Sequence, residues 1–408
     1  MLKSNGANYR WYILTLAALT HTFAIAMPTM SLPVLFKEMS VDMDLSLVEI
    51  GTVWGMIPLA AVFVVLTGGL LGDRFGVKRT LSVLCLLAGL AGALRGISDS
   101  FASLAITMFL FGALSASIPI NVHKVASIWF PGRRLGLANG ILSLGMGLGF
   151  TAGAMISATI LSPLLGGWRN VLFLYGAISI GIGVLWLLTQ SEPGQAKSSP
   201  GYVSTVPFRQ ALSRVVRIRG VWFLGLIMLG QMACNTGMTG YLPLYLREIG
   251  WTATSADGAL AAANLASMAA TIPMTLLSDR LGSRKTILLA ATLMTAIGVG
   301  LLSVASGTMV WVSAIMAIMA RDGFMAVTIT LLMETKAIGV TYAGTALGLA
   351  MMLSRVGGVI SPPIGNSLAS ISPGLPFIFW AALATIALSG FFFIRETGRK
   401  QLTMPATE

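Results

Sequence analysis

Residues 69–79 read GLLGDRFGVKR, and residues 275–285 read TLLSDRLGSRK. Asp, Arg, Gly and two terminal cations recur in register at an offset of 206 residues (69 to 275), which chance rarely produces in a chain with so few charges. The repeat therefore indicates a duplicated chain. A tight glycine turn with Asp and Arg at a helix end suits a latch between helix bundles, although a plain loop with orienting charges is the simpler alternative. The residues assigned to this gating motif are Gly69, Asp73, Arg74, Gly76, Lys78, Arg79, Asp279, Arg280, Gly282 and Arg284.

The composition is that of a protein whose surroundings are lipid. Of the 408 residues, 56% are hydrophobic and only 10% are charged, and the mean hydropathy is +0.85. These values exclude an ordinary soluble domain and make the lipid bilayer the expected partner. The net charge of +12 does not indicate nucleic-acid binding, because no basic cluster lies on a polar segment that would fold as a binding surface.

Twelve apolar stretches are long enough to cross a bilayer, which takes about 20 residues as a helix. The first stretch resembles a signal peptide, but we expect it to be retained, because the first half needs it to match the second. The predicted helices cover residues 11–35, 48–71, 79–97, 102–125, 135–160, 170–189, 221–245, 256–277, 286–305, 308–333, 343–366 and 375–394. The fold class is therefore an all-α membrane protein with 12 transmembrane helices in two pseudo-symmetric six-helix bundles.

Lysine and arginine are distributed unevenly over alternate loops, and this asymmetry predicts the orientation in the membrane. With both termini in the cytoplasm, twenty of these cations fall on the inner side, and four fall on the outer side: Lys37, Arg95, Arg169 and Arg247. We therefore expect a multi-pass protein of the cytoplasmic (inner) membrane. The first bundle covers residues 1–190 and the second covers residues 220–408. Residues 191–219 form a cytoplasmic linker, in which FRQALSRVVRIR predicts a short surface helix.

The spaced G-x-x-x-D-R-x-G-x-K-R loop, present twice in a six-plus-six helix chain, resembles the major facilitator superfamily over essentially the whole length. Further support comes from Trp-Phe-Pro at 129–131, before a glycine-rich fifth helix, and from Gly-Trp-Arg at 167–169, before the sixth. The resemblance implies two six-helix bundles, a central solute cavity lined mainly by helices 1, 4, 7 and 10, and alternating access between the two sides of the membrane.

Two departures from the family pattern weaken a drug-efflux interpretation. Helix 4 has Thr107 and Met108 where many proton-coupled members carry an arginine. Helix 5 carries Gly145, Gly149 and Gly153 at four-residue spacing, but it lacks the Gly-Pro pair of the family's drug antiporters. Close packing against a neighbouring helix accounts for these glycines.

Three charged residues and one histidine fall near mid-membrane, where a charge costs about 2.5–3.5 kcal/mol and is therefore a candidate for function. They are Arg321 and Asp322 in helix 10, Arg355 in helix 11 and His21 in helix 1. Small neighbours at helical spacing, such as Gly358 beside Arg355, indicate that Arg355 and His21 face inward. Arg321 and Asp322 are adjacent and about 100° apart on a helix, so we expect no bond between them. We expect Asp322 to reach Arg355 or His21 instead.

These residues give a specific hypothesis for a binding site. Arg321 and Arg355 hold a small anion, because planar guanidinium groups bind oxyanions through two hydrogen bonds at once. The alternative is a structural network in which Asp322 only neutralises an arginine. Asp322 is the candidate for proton coupling, with His21 as its rival. The amides predicted to orient the substrate, or else to bond between helices, are Gln231, Asn235 and Asn121.

The predicted function is secondary transport, in which a monomer takes up a small anionic solute together with a proton by alternating access. Efflux of amphipathic drugs is the first alternative, and a non-transporting membrane sensor is the alternative of another class. An enzyme is not expected, because the predicted helices contain no paired carboxylates, no His/Cys/Asp cluster with metal spacing and no serine with a placed base. No cofactor or metal is therefore predicted.

Overall fold

The computed structural model of the chain describes residues 6–190, 208–335, 338–394 and 396–397, and within these ranges the regular structure is helical throughout. Twelve helices of the described residues are long and apolar enough to cross a membrane. Helices are expected here, because a chain in lipid must satisfy its backbone N–H and C=O groups within each segment. The predicted all-α fold with 12 transmembrane helices is confirmed. Residues 191–207 of the predicted linker lie outside the described residues.

The first six membrane helices, α1 to α6, lie in the first half of the chain. Three of them are built from consecutive segments of different helical geometry. The bounds are Gly6–Leu19, the π-helical Thr20–Ala26 and Met27–Asp42 for α1; Leu47–Phe75 for α2; Val77–Leu94 and the 3₁₀ turn Arg95–Ile97 for α3; Phe101–Ser115 and Ile118–Trp129 for α4; Leu135–Ile156, the π-helical Ser157–Leu161 and Ser162–Leu165 for α5; and Trp168–Leu188 for α6.

The remaining six membrane helices, α7 to α12, follow a short helix at Phe208–Val215. That short helix buries Ala211 and Val215 and exposes Arg214, as the predicted surface helix requires. The bounds are Arg219–Glu248 for α7; Ala253–Leu281 for α8; Arg284–Leu302 for α9; Thr308–Ile318 and Arg321–Glu334 for α10; Gly339–Ser367 and the 3₁₀ turn Leu368–Ser370 for α11; and Leu375–Gly390 and the 3₁₀ turn Phe391–Phe393 for α12.

Helices α4 and α10 each contain a two-residue break that the apolar pattern did not predict. The first segment ends at Ser115 in α4 and at Ile318 in α10, and the second begins at Ile118 and at Arg321. The two breaks lie 203 residues apart (115 to 318), so the duplication indicated by the loop motif extends to helix geometry. The second break places Arg321 and Asp322 in the first turn of a new helical segment.

The glycines of α5 allow this helix to lie directly against α1. A Cβ atom on Gly149 would lie 2.5 Å from Ala26 Cβ and 2.9 Å from Thr22 O. Thr22 Oγ1 also donates a hydrogen bond to Gly145 O at 2.8 Å. The close helix packing expected from the glycine spacing is therefore present.

The chain divides into two compact units by its internal contacts. The first comprises residues 1–199 and 242–261, and the second comprises residues 200–241 and 262–408. The end of α7 and the start of α8 therefore belong with the first unit, although they follow the linker in sequence. Each unit has its own apolar core, which includes Leu81 and Trp186 in the first unit and Leu288 and Phe391 in the second.

Candidate functional site

A cavity of about 220 Å³ lies within the second compact unit, between α7, α10 and α11. Five of the seven residues predicted to bind substrate or couple protons line it. The lining residues are Met228, Gln231, Met232, Asn235, Arg321, Asp322, Phe324, Met325, Met351, Ser354 and Arg355. Another cavity, of about 300 Å³ between α8, α9 and α10, has only apolar lining residues and offers nothing to hold a charge.

Ser267 of α8 forms two hydrogen bonds with Asp322 at the break in α10. The Asp322 N–H donates to Ser267 Oγ at 3.3 Å, and the Ser267 hydroxyl donates in turn to Asp322 Oδ2 at 2.8 Å. This pair of bonds caps the second segment of α10 from a neighbouring helix, which satisfies an amide that the interrupted helix would otherwise leave without a partner. The carboxylate of Asp322 also lies at the positive end of that segment's dipole.

Arg321 and Asp322 form an ion pair with each other, so the expectation of no bond between these neighbours is wrong. Arg321 Nε lies 3.0 Å from Asp322 Oδ1, and Nη2 lies 3.4 Å from Oδ2. The two residues are still about 100° apart on the same helical segment, but the arginine side chain is long enough to fold back to the neighbouring carboxylate. Arg321 Nη1 also donates to Asn264 Oδ1 of α8 at 3.0 Å.

Asp322 does not reach Arg355, which corrects the second expectation about its partner. Its hydrogen-bonding partners are Arg321 and Ser267. Arg355 lines the cavity as expected of an inward-facing residue, and it is half-buried. Over the described part of the chain, the Arg355 guanidinium has neither an ion-pair nor a hydrogen-bond partner. The cavity thus holds one neutralised arginine and one arginine whose charge is uncompensated.

The two amides of α7 lie on the cavity wall, one turn apart. Asn235 Nδ2 donates to the backbone O of Gln231 at 2.9 Å and to its side-chain Oε1 at 3.3 Å. Gln231 is 6% exposed, and its Nε2 is buried without a hydrogen-bond partner among the described residues. A buried amide donor without an acceptor is costly, so Gln231 Nε2 is available to a bound solute.

His21 belongs to the first compact unit and is not among the residues that line this cavity. It is 1% exposed, as its inward-facing pattern predicted, and its Nδ1 lies 3.1 Å from Leu142 O. Its ring packs against His123 of α4 with the centroids 5.3 Å apart, and His123 Nδ1 lies 3.0 Å from Asn139 Oδ1. The sequence analysis did not identify His123, because no local pattern relates it to His21.

Asn121 also lies in the first unit, beside the loop motif. It is fully buried, and its Nδ2 donates to Ser117 O at 2.8 Å. A Cβ atom on Gly72 of α2 would lie 2.0 Å from Asn121 Oδ1, so the amide occupies the space that this glycine leaves. The structure therefore places Asn121 beside the first copy of the motif.

The first copy of the motif ties the end of α2 to α4 and the start of α3 to the end of α6. Gly76 has φ 82°, a conformation that favours glycine, and it begins the turn into α3. Asp73 Oδ1 pairs with Lys124 Nζ of α4 at 2.7 Å. Lys78 Nζ donates to Thr189 O, just after α6. This copy therefore fastens four helices of one unit, α2, α3, α4 and α6, at the same end.

The second copy makes an equivalent connection with different partners. Gly282 has φ 60° and forms the turn between α8 and α9. Arg284 pairs with Asp279 at 2.5 Å and with Glu334 at the end of α10 at 3.0 Å. The Arg284 backbone N–H donates to Glu396 Oε1 at 2.7 Å. In this copy the motif's aspartate pairs within the loop, whereas in the first copy it pairs with another helix.

The other motif residues lie at the surface or within the helix. The guanidinium of Arg74 lies 5.4 Å from the centroid of the Phe75 ring. Arg79 and Arg280 are exposed, and Gly69 lies within α2.

Two arginines assigned to the outer loops are not surface charges. Arg95 is fully buried, its Nε donates to Gly92 O at 3.1 Å, and its guanidinium lies 3.9 Å from the centroid of the Phe111 ring. Arg247 Nη2 contacts both carboxylate oxygens of Asp257 at 2.6 and 2.7 Å. Asp257 is itself fully buried, which makes this a charge pair removed from water. Counting Lys and Arg in the loops could not distinguish these two arginines from arginines that only set the orientation in the membrane.

The described residues contain no group of three or more His, Cys, Asp or Glu side chains that could hold a metal ion. The chemistry of the cavity is therefore that of its guanidinium, carboxylate and amide groups.

Comparison with known sequences identifies a family. A family model for the Major Facilitator Superfamily matches residues 14–362 and, in a second match, residues 247–406. The probable galactarate/D-glucarate transporter GudP of Escherichia coli (strain K12) is 29% identical over 201 residues, which cover 46% of this chain and 42% of GudP. The chain thus aligns with less than half the length of that relative. The probable nitrate/nitrite antiporter NarK1 of Thermus thermophilus is 24% identical over 379 residues, which cover 84% of this chain and 81% of NarK1.

Comparison with solved structures gives the same architecture. A bacterial homologue of the human lysosomal transporter Spinster, in an inward-facing and occupied conformation, matches with a TM-score of 0.78 at 17% identity. The match covers 94% of this chain and 96% of that chain. At this level of identity the likeness concerns the fold alone.

Proposed function

Because this chain belongs to the Major Facilitator Superfamily and is a transporter rather than an enzyme, we propose that it carries a small anion across the membrane by alternating access. One observation carries the proposal: the guanidinium of Arg355 lines the cavity without a partner among the described residues. A cation near the middle of a bilayer costs about 2.5–3.5 kcal/mol, so a position that keeps one is expected to serve binding. A bound anion offsets that cost.

Two relatives support an anionic substrate. GudP is described as a probable galactarate/D-glucarate transporter, and NarK1 is described as a probable nitrate/nitrite antiporter. Carboxylate, nitrate and nitrite share a delocalised negative charge on oxygen atoms. That is the group that a guanidinium binds through two parallel hydrogen bonds.

In the proposed binding mode, Arg355 holds the oxyanion and Gln231 Nε2 donates a further hydrogen bond. Asn235 fixes the Gln231 side chain through its contact with Oε1. Arg321 contributes positive charge from the opposite helix, although Asp322 and Asn264 already occupy most of its donors.

Asp322 is the proposed site of proton coupling. With Asp322 ionised, the three ionisable groups on the cavity wall carry a net charge of +1, from two arginines and one carboxylate. Protonation of Asp322 raises this charge to +2 and strengthens anion binding, so proton and anion favour each other's binding and move in the same direction. His21, whose ring meets that of His123 edge to face, is the rival site for the proton.

The loop motif is the proposed conformational latch. Its two copies fasten helix ends through Asp73 and Lys124 in one unit and through Asp279, Arg284 and Glu334 in the other. Breaking and remaking such ion pairs is an established way for membrane domains to change state. We further propose uptake by a monomer in the cytoplasmic membrane, with both termini on the cytoplasmic side, in accordance with the distribution of positive charge.

Reconstituted protein tests the anion site. Arg355→Lys and Arg321→Lys keep the charge but remove the planar pair of donors, and Arg217→Lys, in the exposed turn after the short helix Phe208–Val215, is the matched control. We expect Arg355→Lys to weaken anion uptake into proteoliposomes by about tenfold or more, since a hydrogen bond to a charged group contributes about 1.5–3 kcal/mol. The control should transport normally. Parental rates for every anion in both site variants, with normal insertion, would refute the proposal.

The size of the cavity disfavours efflux of amphipathic drugs, the alternative transport function. Pockets for drug-sized ligands are about 300–1,000 Å³, and this cavity is about 220 Å³. A drug pump would also tolerate the loss of Arg355, which the same uptake experiment measures.

A further inference from the structure

Much of the cavity lining is apolar. Five of its eleven lining residues are Met228, Met232, Phe324, Met325 and Met351. Thioether and phenyl groups donate no hydrogen bond and accept only weak ones, whereas they pack well against irregular apolar shapes. The uncharged part of the solute therefore packs against side chains that cannot replace the hydrogen bonds it makes to water.

The polar groups available to a solute are few. Arg355 is the one guanidinium on this wall that lacks an acceptor among the described residues, and Gln231 Nε2 is a buried donor without one. Asn235 and Arg321 already hold acceptors within the protein. Ser354 contributes one hydroxyl, and Asp322 contributes a carboxylate that Arg321 and Ser267 already engage. One oxyanion group is therefore matched, together with only a few further polar atoms.

These features disfavour two other kinds of anion. A sugar diacid has several hydroxyl groups and a second carboxylate, and most of them would lose their hydration against methionine and phenylalanine side chains without compensation. Nitrate occupies roughly the volume of two water molecules at about 30 Å³ each, so it would leave most of the 220 Å³ unfilled. The cavity therefore fits a solute that is larger than nitrate and less polar than a sugar diacid.

We propose that the solute is a compact organic monoanion with an apolar body, aromatic or branched aliphatic, whose single carboxylate or sulfonate binds Arg355 while its body packs against the methionines and Phe324. This inference rests on the proposed anion transport and names its substrate class. The methionine-rich wall can adapt to several bodies of similar volume, so the selectivity lies in charge and polarity rather than in one shape.

Binding and exchange measurements on the full chain test the inference. Titration calorimetry compares benzoate and benzenesulfonate with galactarate, succinate and nitrate, and counterflow in proteoliposomes uses benzenesulfonate, whose permanent charge keeps it from crossing a bilayer unaided. We expect benzoate and benzenesulfonate to bind at least about tenfold more tightly than the other three, since each unsatisfied buried polar group lowers affinity by about that factor. We also expect benzenesulfonate to be exchanged.

The outcomes separate this inference from the function on which it rests. Preference for galactarate, succinate or nitrate, or equal affinity for all five, would overturn the substrate class while leaving anion transport in place. If protein that unfolds cooperatively neither binds nor moves any of these anions, both proposals fail.

A pair of adjacent methionines provides the matched variants. Met351 lines the cavity, whereas Met352 is 39% exposed on another face of α11 and is not among the lining residues. Met351→Gln should narrow the ratio of benzoate to galactarate affinity by about tenfold, because the new amide can satisfy a hydroxyl group. Met352→Gln should leave the ratio unchanged. If the ratio of benzoate to galactarate affinity were the same in both variants, the solute would not contact Met351 and the inference would be refuted.

Discussion

Replacing Arg355 by Met should make the protein more stable and inactive at the same time. The Arg355 guanidinium lies at the cavity wall, and nothing in the described part of the chain compensates its charge. An uncompensated arginine at mid-membrane costs about 2.5–3.5 kcal/mol on the insertion scale. Because Arg355 is only half-buried, we expect about 1–2 kcal/mol of this to be recovered. Methionine is also unbranched and flexible, so it can occupy much of the same space.

Arg321→Met is the matched control, and its stability should change in the opposite direction. Arg321 pairs with Asp322, so its removal leaves a carboxylate supported mainly by Ser267. Breaking a fully buried pair costs about 3–5 kcal/mol. The two side chains here are 21% and 34% exposed, so we expect a smaller loss of about 1–3 kcal/mol.

Thermal unfolding of both variants in the same detergent, without added anion, measures the two stability effects, and counterflow in proteoliposomes measures activity. A 1 kcal/mol change shifts Tm by about 2–4 °C in a domain of 150–250 residues and by less in a longer chain. We therefore expect Arg355→Met to melt about 1–4 °C above the parent and to transport no anion, and Arg321→Met to melt below the parent. A fall in Tm for both variants, or normal transport by Arg355→Met, would refute the assignment of Arg355 as an uncompensated binding cation.

Three further predictions follow from individual contacts. Asp322→Asn should retain anion counterflow but lose the acceleration of uptake by a pH gradient, and acceleration that persists would exclude Asp322 as the coupling site. Asp257→Asn should lower the melting temperature by the equivalent of about 1–3 kcal/mol, because Arg247 would lose a buried charge partner, and an unchanged Tm would contradict this. Gly149→Ala should destabilise the protein by about 1–3 kcal/mol, since its Cβ would overlap α1. Gly181→Ala in α6, with no atom within 4 Å, should have no such effect, and equal melting temperatures of the two glycine variants would be inconsistent with the described packing.

The number of membrane helices and the position of the cavity residues could be predicted from sequence because both follow from local rules. Helix length in lipid is fixed by bilayer thickness, and small residues around Arg355 indicated which face of α11 turns inward. Gln231 and Asn235 lie one turn apart on α7 and so share a face, and the resemblance to the family predicted that α7 lines the cavity.

The contacts that could not be predicted depend on departures from regular helix geometry or on distant pairing. Ser267 reaches the Asp322 amide because α10 is broken just before it, and an apolar sequence gives no sign of a two-residue break. The bond between Arg321 and Asp322 forms because the long arginine side chain folds back, which helical spacing does not predict. His123 contacts His21 across about a hundred residues of sequence, which no periodicity records. Arg95 lies near a helix end in sequence, yet the Phe111 ring covers it.

The hydroxyl of Ser267 has a single hydrogen to give. While that hydrogen points at Asp322 Oδ2, the same oxygen receives the Asp322 amide, and the two bonds close a small ring that staples α8 to α10. When Asp322 Oδ2 is protonated, it becomes a hydrogen-bond donor. The Ser267 hydroxyl must then rotate toward another acceptor, and the ring loses one of its two bonds. The charge state of one oxygen atom thereby decides how firmly two neighbouring helices are fastened to each other.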